Sequence, residues 1–329
     1  MKFKIHFFFL FCCLIPCSKA SDVQHFLPSW NEGQTKSAII TFVEKTVDPK
    51  SKHFIATEDR IVTFDNDGTL WGEQPMYFQF FFAMDRIREL ADDHPEWKDT
   101  HPYQAVIEND TQKIAQFNAE DLMHLVFSAH SQTNTNEFEQ LVNTWLSTAQ
   151  HPVLKKPFTQ LVYQPMLELL DYLRVNHFKI FIVSGGSIEF IRAWAEQVYG
   201  IPKDRIIGST LKTHFSYENG QTTITRLPEL EFNNDHEGKA LSINKFIGRK
   251  PVMSVGNSDG DLEMMQWTAS GKGSRFMLYL HHTDVDREWA YDKHSNVGRL
   301  DKGLTQANNN NWTVIDMKKD WKVIFPFEL

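Results

Sequence analysis

Short apolar runs alternate with helical stretches along most of this chain, and this alternation is the strongest constraint on its fold. The apolar runs cover residues 60–64, 178–183, 205–210, 251–255 and 276–280. Helical patterns cover residues 36–47, 164–176, 187–199, 239–247 and 259–267. Strands that alternate with helices form a parallel sheet with helices on both faces. The sequence therefore predicts an α/β fold.

Two segments depart from this alternation. Residues 76–150 contain several amphipathic helical patterns and no convincing strand, so they are interpreted as an insertion after the first strand. Residues 218–220 read Glu-Asn-Gly between two strand-like runs, which predicts a β-hairpin turn.

The first twenty residues have the pattern of a signal peptide. Lys2 and Lys4 precede an apolar run from Phe7 to Cys17, and small residues occupy positions 18 and 20. The alternatives are an uncleaved N-terminal anchor and a buried helix. All three cysteines lie in this segment, so a chain that begins at Ser21 has neither disulfides nor zinc–thiolate sites. We expect an exported protein, either periplasmic or secreted by a bacterium.

The composition excludes some classes of function. The chain has 34 Lys and Arg residues against 42 Asp and Glu residues, for a formal net charge of −8. A dedicated nucleic-acid-binding protein normally carries a basic surface, so this balance argues against one. No later stretch is apolar enough to span a membrane, so no membrane association is expected after signal cleavage.

The strongest chemical motif is the segment Asp65-Asn66-Asp67-Gly68-Thr69, which directly follows the first apolar run. Ligands of parallel sheets bind beyond the carboxyl ends of the strands, which is where this segment is predicted to lie. Two carboxylates there can have different chemical roles, because one can attack a substrate while the other protonates a leaving group. By itself, the segment is also typical of an ordinary turn after a strand.

Three later segments add complementary groups. Ser184-Gly185-Gly186 follows a strand and can hold phosphate oxygens, although it is also typical of a simple strand-to-helix turn. Lys239 begins a predicted helix and can neutralise phosphate charge. Residues 255–261 end another strand and carry Asn257, Asp259 and Asp261, which are oxygen donors suited to a hard cation.

These groups occur in the order found in the haloacid dehalogenase-like (HAD) superfamily, which the chain resembles over most of residues 60–280. The insertion resembles the helical cap of the phosphoserine-phosphatase-like branch. The resemblance implies a doubly wound, Rossmann-like parallel-sheet core formed by residues 21–75 and 158–329. A helical cap would span residues 76–157, and the signal peptide would span residues 1–20.

The same resemblance implies roles for individual residues. Asp65 would be the nucleophile that forms an aspartyl-phosphate, and Asp67 would be the general acid and then the base. Ser184, Gly185 and Lys239 would hold the phosphoryl group. The resemblance also implies a Mg2+ ion, and its ligands would be Asp65, the Asp67 carbonyl, Asn257 and Asp261.

Two positions depart from the family pattern. The last motif usually opens with an acid, whereas this chain has Asn257 there, which removes one negative charge from the expected ion site. Glu73 lies near the first motif, but its spacing does not match the substrate-binding acid of the family. His281 and His282 follow the strand at 276–280 without a zinc-site spacing, so we expect them to be solvated or supporting residues.

The expected activity is hydrolysis of a small phosphorylated metabolite, because Asp67 favours transfer of phosphate over dehalogenation. The nearest description is a phosphatase that acts on phosphoserine or on a broad range of esters. Two alternatives are a phosphotransferase or mutase of the same fold and a protein that binds a phosphate ligand without turnover.

Overall fold

The computed structural model describes residues 27–130 and 133–329, and the predicted signal peptide lies outside them. Seven strands form one sheet: Ile61–Phe64 (β1), Lys179–Ser187 (β2), Ile206–Glu218 (β3), Gln221–Phe232 (β4), Met253–Gly256 (β5), Phe276–His281 (β6) and Thr313–Asp316 (β7). Their order is β4-β3-β2-β1-β5-β6-β7. Only the β3–β4 pair is antiparallel, so the predicted parallel α/β fold is confirmed.

The helices flank this sheet. They are Gln34–Val47 (α1), Phe78–Leu90 (α2), Tyr103–Ile107 (α3), Thr111–Ile114 (α4), Ala119–His130 (α5), Thr135–Thr148 (α6), Gln164–Val175 (α7), Ile188–Arg192 (α8), Ala195–Tyr199 (α9), Glu237–Ser242 (α10), Leu262–Ala269 (α11), Lys302–Asn310 (α12) and Met317–Asp320 (α13). Within the described residues, none of these helices is both long and apolar enough to cross a bilayer.

Strand β1 lies at the centre of the sheet, between β2 and β5. All four of its residues are buried, as are all four residues of β5. A strand that is covered on both faces reads as a continuous apolar run, which explains why the sequence pattern located β1 so clearly. The turn after β1 therefore begins from a rigid central position.

The insertion between β1 and β2 contains α2 to α6, and it shares part of the main core. Phe82 of α2 and the α6 residues Phe138 and Trp145 pack in the same apolar cluster as the central strands. A second cluster, which includes Met84 and Leu125, lies within the insertion itself. Helices α2 and α6 thus attach the insertion firmly to the core, while the boundaries 76–157 stay a prediction.

The β3–β4 hairpin extends beyond the parallel sheet and reaches the insertion. Its turn contains Asn219 and Gly220 with φ values of 53° and 80°, which is the backbone that an Asn-Gly pair favours. The backbone N–H of Arg226 donates to the carbonyl of Thr133 at 3.1 Å. The hairpin predicted at residues 218–220 is therefore present, and it joins the helical insertion.

The C-terminal segment closes the other edge of the sheet. Strand β7 and helix α12 have no counterpart among the predicted elements, because only one of the four residues of β7 is buried and α12 is strongly polar. Trp321 is buried, and its ring meets that of Trp30 edge-on at 6.0 Å. This contact holds the C-terminal region against the N-terminal side of the core.

Candidate active site

The segment 65–69 forms a tight turn immediately after β1. The carbonyl of Asn66 accepts hydrogen bonds from the N–H groups of Thr69 and Leu70 at 3.1 and 2.8 Å. Gly68 has a φ of 69°, and a Cβ atom there would collide with the side chains of Asn257 and Glu73. Glycine is therefore required at position 68 both by its backbone conformation and by the close approach of these side chains.

Lys239 connects the first and last motifs. Its Nζ donates to Oδ1 of Asp65 and to Oδ1 of Asp261, each at 2.6 Å. All three side chains are buried. Burial by itself lowers the pKa of Lys239, but the charges of Asp261 and Asp65 outweigh burial and raise it above its ordinary value. Lys239 is therefore charged, and no acceptor among the described residues takes its third N–H.

Asp65 has one oxygen bound and one oxygen free. Its Oδ1 accepts from Lys239, whereas no donor from the described residues reaches Oδ2. Burial, followed by the charge of Asp261, raises the pKa of Asp65 well above its usual range, and Lys239 opposes this rise. Asp65 also lines a cavity of about 370 Å3. A carboxylate held in this way presents a fixed nucleophilic oxygen.

Asp67 is oriented by the indole of Trp71, whose Nε1–H donates to Oδ1 at 2.8 Å. The Trp71 ring in turn stacks on Trp194, with their centroids 4.1 Å apart. Burial raises the pKa of Asp67 above its ordinary value. Asp67 lines the same cavity as Asp65, so the structure brings together a nucleophile and a carboxyl that retains its proton to a higher pH than usual.

The loop at residues 184–186 differs from the predicted strand-to-helix turn. The chain stays in strand β2 as far as Ser187, and helix α8 after it has only five residues. The hydroxyl of Ser184 accepts from the N–H of Gly186 at 3.0 Å and lies 3.5 Å from Asp67 Oδ2. Ser184 is fully buried, whereas Gly185 and Gly186 line the cavity. The backbone of Gly185 and Gly186, rather than the Ser184 hydroxyl, therefore faces the cavity.

Asn257, which replaces the expected acid, is paired with Glu73. Its Nδ2–H donates to Oε1 of Glu73 at 2.6 Å, and its Oδ1 accepts from Thr69 at 3.1 Å. Tyr291 also donates to Oε1 of Glu73, at 2.7 Å. Burial raises the pKa of Glu73 well above its usual range. The fold thus places the Glu73 carboxyl next to Asn257, where the last motif lacks an acid. The spacing of Glu73 in the sequence did not predict this contact.

Asp261 organises the last motif. Its Oδ1 accepts from Lys239, and its Oδ2 accepts from the backbone N–H groups of Asn257 and Ser258, each at 3.0 Å. Both oxygens are therefore engaged by the chain itself. This geometry supports Asp261 as a positioning residue for Lys239, while its predicted role as a metal ligand stays a prediction.

The remaining donors suit a hard divalent cation. Oδ2 of Asp65 and the carbonyl of Asp67 receive no hydrogen bond from the described residues, and Oδ1 of Asn257 accepts only from Thr69. Carboxylate, carbonyl and amide oxygens are the ligands that Mg2+ prefers. No three His, Cys, Asp or Glu side chains of residues 27–130 and 133–329 converge as a metal site, so an ion here would also need the carbonyl and amide oxygens.

His282 contacts the turn at residues 65–69 through the backbone of Gly68. It is buried, and its Nε2–H donates to the carbonyl of Gly68 at 2.7 Å. Its Nδ1 lies 3.2 Å from Glu288, which also accepts from the hydroxyl of Tyr163 at 3.0 Å. The supporting role expected for this histidine therefore has a specific target, which sequence alone did not identify.

Gln79 links the insertion to the end of strand β2. Its Oε1 accepts from the backbone N–H of Ser187 at 2.9 Å, and its side chain lines the cavity. Nothing in the sequence distinguishes this glutamine from other polar residues of an amphipathic helix. Its position depends on how α2 packs over the sheet.

Comparisons with known proteins agree with this geometry. A model of the family "haloacid dehalogenase-like hydrolase" matches residues 62–266. A conserved, functionally unknown protein from Anaerococcus prevotii DSM 20548 has a similar structure, with 14% identity and a TM-score of 0.56 over 88% of this chain and 94% of that chain. This likeness concerns the fold alone.

Two other solved structures are more distant. A protein of unknown function from Bordetella pertussis Tohama I is 14% identical and has a TM-score of 0.46 over 78% of this chain and 98% of that chain. A phosphoserine phosphohydrolase-like protein from Francisella tularensis subsp. tularensis SCHU S4 is 16% identical and has a TM-score of 0.36 over 67% and 87%. No curated protein matches by sequence. The family match covers more than half of the sequence, and the chain belongs to the haloacid dehalogenase-like hydrolases.

Proposed function

We propose that this hydrolase is a Mg2+-dependent phosphomonoesterase that works through an aspartyl-phosphate on a small organic phosphate. The observation that carries the proposal is the arrangement of Asp65, Lys239 and Asp67 in one cavity wall. Asp65 presents a free oxygen, Lys239 has an unused N–H, and Asp67 is a carboxyl with a raised pKa. These are the three groups that attack on a phosphate ester requires.

The first step forms an acyl phosphate. A carboxylate oxygen of Asp65 attacks phosphorus, the bond from phosphorus to the ester oxygen breaks, and Asp67 gives its proton to that departing oxygen. Lys239 and the backbone of Gly185 lie where they can contact the phosphoryl oxygens. When bound by Asp65, the Asp67 carbonyl and Asn257, Mg2+ would offset the charge repulsion between carboxylate and phosphate.

The second step returns the enzyme to its starting state. The carboxylate of Asp67 takes a proton from water, the water oxygen attacks phosphorus, and the bond from phosphorus to Asp65 breaks. Inorganic phosphate leaves, and Asp67 is protonated again. The raised pKa of Asp67 lets it give up and regain this proton at a higher pH than an ordinary carboxyl.

Replacing the nucleophile tests covalent catalysis. The substitution Asp65→Asn should lower phosphate release by at least about 10³-fold, because an amide cannot form the acyl phosphate. The measurement is phosphate release with an aryl phosphate, together with acid-quench trapping of labelled phosphoenzyme. Wild-type enzyme should carry an acid-stable, alkali-labile adduct at Asp65. Undiminished turnover by the variant would reject Asp65 as nucleophile.

Replacing the general acid should have an effect that depends on the leaving group. The substitution Asp67→Asn should slow hydrolysis of an alkyl phosphate by about 10²–10⁴-fold, because an alkoxide needs a proton to depart. The first step with 4-nitrophenyl phosphate should lose much less, since its phenolate leaves unprotonated. Burst-phase kinetics separates this step from hydrolysis of the phosphoenzyme. Equal losses for both esters would contradict the assignment.

The stability of the chain should report Mg2+ binding as a function of pH. Burial raises the pKa values of Asp65, Asp67 and Glu73 in the folded state. Their contribution to the free energy of unfolding is therefore complete below the unfolded pKa of about 4 and is lost as pH rises. The loss is about 1.4 kcal/mol per carboxyl for each unit by which its folded pKa exceeds its unfolded pKa. Without Mg2+, the free energy of unfolding should therefore fall as pH rises above about 4.

A bound divalent cation favours the ionised carboxylates, so added Mg2+ should stabilise the chain more at pH 8 than at pH 5. Urea unfolding at both pH values, with and without MgCl2, measures this difference. Asp65→Asn should reduce it. The control is Asp171→Asn, because the Asp171 side chain is 68% exposed on α7 and should leave it unchanged. An equal effect of Mg2+ at both pH values would argue against the ion site.

We also propose that the protein is exported, on the basis of residues 1–20 alone. The charged start, the apolar run and the small residues at positions 18 and 20 support cleavage after Ala20. Expression of the full chain in a bacterium should yield a mature protein that begins at Ser21 in the periplasm or the medium. Mass spectrometry of each fraction checks this, and an uncleaved cytoplasmic chain would contradict it.

A further inference from the structure

The cavity next to Asp65 has two chemically different parts in its wall. One part contains the catalytic carboxyls and Lys239. The other part is apolar and is supplied by the insertion and the hairpin rather than by the parallel core. Its apolar members are Phe80, Met123, Val126, Leu211 and Leu230. At about 370 Å3, the cavity is at the small end of the range for ligand sites, so its occupant is a small molecule.

The charges of the wall exclude a second anionic group on the ligand. Lys239 is the only basic side chain among the described residues that line the cavity, and it is already bound to Asp65 and Asp261. The wall also contains the acidic side chains of Glu73 and Asp235. A carboxylate or a second phosphate on the leaving group would lose its hydration without gaining a counter-charge, which is strongly unfavourable.

Most neutral polar groups of the wall are also engaged. The hydroxyl of Ser209 donates to the Gly185 carbonyl at 2.7 Å and accepts from Asn234 at 2.9 Å. The hydroxyl oxygen of Tyr77 accepts from the N–H of Gly298 at 3.3 Å, and no acceptor among the described residues takes its O–H proton. Gln79 uses its oxygen to bind Ser187, which leaves its amide N–H groups for a ligand. The wall therefore offers apolar contact and few hydrogen bonds to the leaving group.

We propose that the substrate is a phosphomonoester whose leaving group is uncharged and largely apolar, such as a short alkyl or aryl alcohol. Phosphoserine and nucleoside polyphosphates are disfavoured by the same wall, because each carries an additional anionic group. This inference rests on the proposed phosphatase activity and specifies the substrate class of that site. This substrate class is narrower than the expected phosphoserine-like or broad-specificity ester, which stays a prediction.

A series of linear alkyl phosphates tests the inference directly. Each added methylene from ethyl to butyl phosphate should raise kcat/KM by about fourfold, which is the value of one buried CH2 group. Butyl phosphate should exceed phosphoserine by at least about tenfold, although both have an alkoxide leaving group. A flat series, or phosphoserine at or above butyl phosphate, would overturn the substrate class while phosphate release still supports the phosphatase.

A matched pair of variants on strand β4 tests the role of the wall. Leu230→Arg adds a cation to the apolar part, so it should lower kcat/KM for butyl phosphate and raise the ratio of phosphoserine to butyl phosphate at least about tenfold. Leu227→Arg lies on the same strand, outside the cavity wall, and should leave this ratio unchanged. Equal ratios for the two variants would show that the wall does not select the substrate.

A binding measurement keeps the two proposals separable if no ester is hydrolysed. Alkylphosphonates have a carbon–phosphorus bond that this chemistry does not cleave, and calorimetry gives their affinity for the wild-type chain. Affinity that rises from methyl- to butylphosphonate supports the apolar ligand class even where phosphate release fails. Affinity that does not change with chain length contradicts it.

Discussion

The bridge that Lys239 makes between Asp65 and Asp261 is the interaction on which the rest of the site depends. It joins the end of β1, the start of α10 and the loop after β5, which are far apart in the sequence. The ammonium offsets part of the cost of burying two carboxylates side by side, and it holds Asp65 with one oxygen free. The orientation of the Asp65 carboxylate in the cavity wall follows from this contact with one buried cation.

The departure at Asn257 is resolved by a second buried contact. Asn257 lies between Thr69 and Glu73, so its amide fills the space above Gly68 while Glu73 brings a carboxyl to the same region. The site is therefore built from two turns, one after β1 and one after β5. The Asn257 side chain of the second turn packs against Gly68 of the first. His282 fixes the first turn from the opposite side through the Gly68 carbonyl.

The two parts of the cavity wall come from different parts of the fold. Asp65, Asp67 and Lys239 belong to the parallel core, whereas the apolar part belongs to α2, α5 and the β3–β4 hairpin. The hairpin meets the insertion through the backbones of Arg226 and Thr133, so the two segments that supply the apolar part are in contact. Under the proposed function, the groups that react and the groups that select the leaving group would therefore lie on separate parts of the fold.

Local patterns predicted the central strands, the insertion, the hairpin turn and the order of Asp65, Ser184, Lys239 and Asp261, because burial and turn chemistry are written in neighbouring residues. They missed β7, in which only one of four residues is buried, and α12, whose residues are too polar to show a hydrophobic periodicity. The sequence by itself determined which reactive side chains stand at the strand ends. Only the tertiary structure decided that Asn257 donates to Glu73, that His282 donates to the Gly68 carbonyl and that one part of the cavity wall is apolar. Those contacts join segments up to 214 residues apart, and spacing along the chain carries no information about them.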